Sequence, residues 1–75
     1  MTHLTLTASQ LLTAQRYIRF TRGAEISKGA IELRSRDHAQ GLQNDLDRLA
    51  NVHSGRERAA ITRLASAIAK KAWSL

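Results

Sequence analysis

The sequence predicts an all-α fold, a small bundle of three or four helices with a short N-terminal strand or arm. Three observations carry that expectation. Residues 54–75, SGRERAAITRLASAIAKKAWSL, set Ile61, Leu64, Ala65, Ile68, Ala72 and Leu75 three or four apart, which is one face of a 3.6-residue helix. Ala39, Leu42, Leu46 and Leu49 repeat the same spacing upstream. The 75 residues also contain no Cys and no Pro, so neither a disulfide nor a thiolate metal site staples the chain. A chain of this size buries only about 60% of its unfolded surface, which leaves helix packing, and association with a second copy or a partner, to stabilise it.

The chain reads as one domain, with an arm or strand at 1–8 and candidate helices at 9–22, 24–34, 37–52 and 55–74. Thr2–Thr7 alternates, with Leu4 and Leu6 on one side and His3, Thr5 and Thr7 on the other. Such a short strand needs a partner, from another copy or from a later segment. Ser9 suits an N-cap for the first helix, Leu11, Ala14 and Ile18 share its face, and Gly23 suits its end. Ile26, Ala30 and Leu33 fit a helical face over 24–34, with a hairpin at Lys28-Gly29 as the competing reading. The leucines after residue 38 fall opposite that face, so a break is expected within 34–38, capped by Ser35 or Asp37. His53-Ser54-Gly55 then makes a tight connection between antiparallel helices. Ser54 and Glu57 have capping-box spacing.

Twelve Lys and Arg against six Asp and Glu give a net charge of +6. The charge is segregated: residues 1–36 and 54–75 are each +4, and 37–53 is −2. A basic balance favours a polyanion or an acidic protein surface as partner. Arg56, Arg63 and Lys70, seven apart, align on the face opposite the apolar one, with Arg58 and Lys71 beside them. Arg16, Arg19 and Arg22 interleave with Tyr17 and Phe20, which offers guanidinium forks for phosphate and rings for stacking. The candidate contacts with nucleic acid or an acidic partner are therefore Arg16, Arg19, Arg22, Arg56, Arg63, Lys70 and Lys71. Tyr17, Phe20 and Trp73 are the candidate partner anchors, although Tyr17 and Phe20 suit core packing and Trp73 suits covering a core end. The Leu42, Leu46 and Leu49 face is the expected seam for a homodimer.

Catalysis is not expected. The histidines at 3, 38 and 53 lack metal-site spacing, and no glycine-rich phosphate loop occurs. Neither a metal nor a cofactor nor a small-molecule substrate is expected. No apolar run approaches a membrane span and no signal-like N-terminus appears, which points to a soluble cytoplasmic protein. The leading functional expectation is a small basic nucleic-acid-binding regulator. A strand followed by two helices is the order of ribbon-helix-helix repressors, where paired strands enter the major groove. On that order His3, Thr5 and Thr7 face DNA, but the helical remainder after residue 36 lies outside that unit and the family is not assigned. The alternative is a non-enzymatic inhibitor or adaptor of the kind phages and plasmids use against host machinery, anti-CRISPR proteins among them. Pure self-assembly is the third reading.

Overall fold

The computed structural model describes residues 2–18 and 25–74. Three helices and a small three-stranded antiparallel sheet alternate in the order β1 (Thr2–Thr5), α1 (Ala8–Tyr17), β2 (Ile26–Ser27), β3 (Ala30–Leu33), α2 (Arg36–Asn51) and α3 (Gly55–Ala72). The domain is mostly helical, but the sheet corrects the expectation of an all-α bundle.

The correction falls on 24–34, where the hairpin replaces the expected helix. Lys28 (φ 52°) and Gly29 (φ 74°) both adopt positive φ, the requirement of a two-residue type I′ hairpin turn. The inward residues are Ile31 and Leu33, two apart and both fully buried, while Ala30 falls on the other face of the strand. Period two, not 3.6, is the pattern the core selects here.

In the sheet β3 is central, in the order β1-β3-β2. Leu4 opposes Ile31 on one side, and Ile26 opposes it on the other. These residues form an inner face against the helices, while His3, Thr5 and Ser27 stay exposed. The strand at the N-terminus thus finds a partner within its own chain.

The cap of α1 lies two residues before Ser9. Thr7 is the N-cap, its hydroxyl accepting from the Gln10 amide at 3.2 Å while Gln10 Oε1 accepts from the Thr7 amide at 3.0 Å. The helix ends at Tyr17 with Ile18 as its C-cap. The expected continuation to residue 22 and the Gly23 end lie outside the described residues. The break within 34–38 is present as expected. Ser35 caps α2, its Oγ accepting from the His38 amide at 3.1 Å.

Three residues join α2 to α3, and the two helices pack along their lengths as an antiparallel hairpin. Gly55, at φ +62°, makes the turn into α3. The core gathers Ile18, Ile31, Leu33, Leu42, Leu46, Ile61, Leu64 and Ile68, all fully buried. Leu42 and Leu46 are therefore interior, with Leu49 packed against the same cluster. The proposed dimer seam is spent on the fold itself. Among the described residues no helix is long and apolar enough to cross a membrane.

Candidate functional site

Helix α3 separates its two faces cleanly. Ile61, Leu64, Ala65, Ile68 and Ala72 are buried, and on a 100° wheel Arg56, Arg63 and Lys70 lie opposite them, all exposed. Seven residues of helix put neighbouring cations about 10 Å apart, so the line runs about 21 Å. The exposed side chains between them are small, Ala59 and Ser66. Among the described residues, none of these three cations has an ion-pair partner. The face is thus open to an external anion.

Helix α1 borders one flank of α3 and runs against it, its C-terminal end beside the start of α3. The groove between them, about 370 Å³, is lined by Leu12, Arg16, Tyr17, Arg56, Glu57 and Arg63 among others. Arg16 thereby joins Arg56 and Arg63 across 40 or more residues of sequence, three guanidinium groups around one opening. Leu12, 68% exposed, adds an apolar wall.

Glu57 holds that flank together. Arg16 Nη1 donates to Glu57 Oε1 at 2.9 Å, and the Tyr17 hydroxyl donates to Glu57 Oε2. The His53 ring meets Tyr17 edge-on, with centroids 5.3 Å apart. The hydrogen bond from Tyr17, reinforced by the Arg16 charge, holds the Glu57 carboxyl below the usual carboxylate range. The same bond, with partial burial, raises the Tyr17 phenol. Glu57 is therefore not a capping residue. Ser54 is the N-cap of α3 but makes no side-chain cap hydrogen bond, and the carboxylate expected to reciprocate turns to α1 instead.

The other end of α3 is built differently. Trp73 is the C-cap residue and is 82% exposed, which corrects the expectation that it covers a core end. Its indole is the wall shared by two grooves. One, of about 330 Å³, faces α2 and includes Arg36, Gln40, Gln43, Ala69 and Ala72. The other lies on the outward face of α3, with Ser66, Ala67 and Lys70.

The predicted contact residues thus fall into two groups, with three positions undescribed. Arg16, Tyr17, Arg56 and Arg63 come together at one groove. Lys70 lies further along α3, with half-buried Lys71 turned toward Leu4, Thr5 and Gln10. Arg19, Phe20 and Arg22 lie outside the described residues. Sequence reasoning missed the roles of Glu57, His53 and Leu12, and also the Arg36, Gln40 and Gln43 row beside Trp73. That row was legible as an i, i+4, i+7 spacing, whereas Glu57 carries no local sign of pairing with residues 40 and 41 positions away.

Among the described residues no group of three or more His, Cys, Asp or Glu side chains could hold a metal ion. No family model matches the chain, and no curated protein or solved structure matches it.

Proposed function

We propose that this chain is a non-enzymatic nucleic-acid-binding regulator that lays the outward face of α3 along a phosphate backbone. The observation that carries the reading is the line of Arg56, Arg63 and Lys70, exposed and without ion-pair partners among the described residues. Arg16, already paired with Glu57, borders one end of that line without being counted among its contacts. Guanidinium groups bind phosphate through paired N–H donors, and the small side chains between the cations let a backbone approach closely. The net charge of +6 supplies the long-range attraction.

Binding to unrelated duplex DNA, titrated against salt, tests the reading. Each phosphate neutralised contributes about −0.9 to the slope of log K against log[salt]. Three contacts give a slope of about −2.7, and failure to bind at about 50 mM salt rejects the proposal.

A protein-binding inhibitor or adaptor is the second reading, favoured by Leu12. Its exposed apolar side chain beside Arg16, Arg56 and Arg63 makes a mixed surface suited to an acidic protein partner. Under that reading Leu12→Glu abolishes partner capture, while a phosphate-bound ligand is little affected.

A further inference from the structure

We infer that Trp73 and the α2–α3 groove beside it form a stacking subsite for one unpaired nucleobase, so that the protein prefers single-stranded over duplex nucleic acid. The inference rests on the nucleic-acid reading above and names the substrate class that this end of α3 selects.

The indole sits at a helix end with 82% of the residue exposed. A tryptophan left this open stabilises neither the core nor a helix contact, yet an indole offers the largest stacking surface of any side chain. Beside it, Arg36, Gln40 and Gln43 line the α2 wall of the groove, spaced to project from one side of that helix. Each glutamine carries both an amide donor and a carbonyl acceptor, the pair that recognises a base edge. Arg36 supplies positive charge at the groove, and Lys70 supplies it on the far side of the indole. The groove, about 330 Å³, lies at the small end of the range for ligand sites. It suits one base with its sugar, not a run of bases. A phosphate path along Arg56, Arg63 and Lys70 leads directly to this partition, so a strand following the cations meets the indole next. Duplex DNA keeps its bases stacked inside and cannot use the site, whereas a single strand can turn one base onto the ring.

Trp73 is the only tryptophan in the chain, so its emission reports on the subsite alone. The test titrates the full chain with oligo(dT) and with an unrelated duplex at about 50 mM salt, reading tryptophan emission and affinity together. The inference expects saturable quenching by oligo(dT) and tighter binding of oligo(dT) than of duplex. It expects Trp73→Ala to lose roughly tenfold in single-strand affinity with duplex affinity unchanged, and Trp73→Phe to recover most of the loss. Because the side chain is exposed, truncation leaves the fold intact, checked by circular dichroism. Equal affinity for both forms, unchanged emission and no effect of Trp73→Ala overturn the subsite while the phosphate-binding reading stands. Binding of neither form overturns both, and a protein partner that quenches Trp73 in their place assigns the indole to a protein interface.

Discussion

The two ends of α3 carry similar raw materials and use them in opposite ways. At the first end an aromatic ring, a carboxylate and a guanidinium (Tyr17, Glu57 and Arg16) satisfy one another and join α1 to α3. At the last end an aromatic ring and cations, Trp73 with Lys70 and Arg36, surround open grooves with no carboxylate among the described residues that line them. The difference teaches that one acidic residue decides whether basic and aromatic side chains hold a fold together or wait for a ligand. Glu57 is the only acidic side chain in 54–75, and it is the fourth residue of the segment.

The largest effect comes from breaking the shared cationic line. Replacing Arg56, Arg63 and Lys70 together by Glu is expected to lower duplex affinity at least about a hundredfold at low salt and to flatten the salt slope by about 2.7. Circular dichroism should be unchanged, because all three side chains are exposed. Binding that survives the reversal shows the face to be solvated surface only.

Gly55→Ala tests the backbone at the first end. A Cβ meets no neighbour there, but the φ of +62° strains any L-residue. The expected loss is about 1 kcal/mol, or about 4–8 °C in Tm for a domain of this size, measured by thermal denaturation.

The Glu57 cluster gives the first end a pH signature. Because the Glu57 carboxyl is lowered on folding, its contribution is present above the unfolded value and is lost as pH falls through the folded one. The Tyr17 phenol is raised, so its contribution is present below the unfolded value and is lost as pH rises through the folded one. Glu57→Gln is expected to flatten the acid limb of a Tm–pH profile, and Tyr17→Phe the alkaline limb. Since the Arg16 and Glu57 side chains are 64% and 44% exposed, solvent screening keeps both changes small.

The smallest effect sharpens the contrast. Trp73→Ala is expected to change stability by less than about 0.5 kcal/mol, since it removes an exposed ring. A larger drop in a denaturant titration means that the indole packs on the fold after all.

Much of the helical part was legible in the chain. Leu42, Leu46, Ile61, Leu64 and Ile68 lie where their spacing puts them, because a long amphipathic helix has one way to bury its apolar face. The break at Ser35 followed from two apolar faces that no straight helix could bury together. The 26–33 segment was not settled locally, because Ile26, Ala30 and Leu33 satisfy a helical period while Ile31 and Leu33 satisfy a strand. Pairing with β1, 25 or more residues earlier, decided for the hairpin by completing the hydrogen bonds of a central strand.

The candidate site divides along the same line. By itself the sequence determined that Arg56, Arg63 and Lys70 share a face, since helical periodicity alone aligns residues seven apart. Only the tertiary structure decided that Arg16 joins them, that Glu57 is drawn away from capping α3, and that Trp73 stands clear of the core. Those outcomes depend on which helix flanks α3, and contacts between segments distant in the chain are set by how the apolar faces pack, not by the residues next to each side chain.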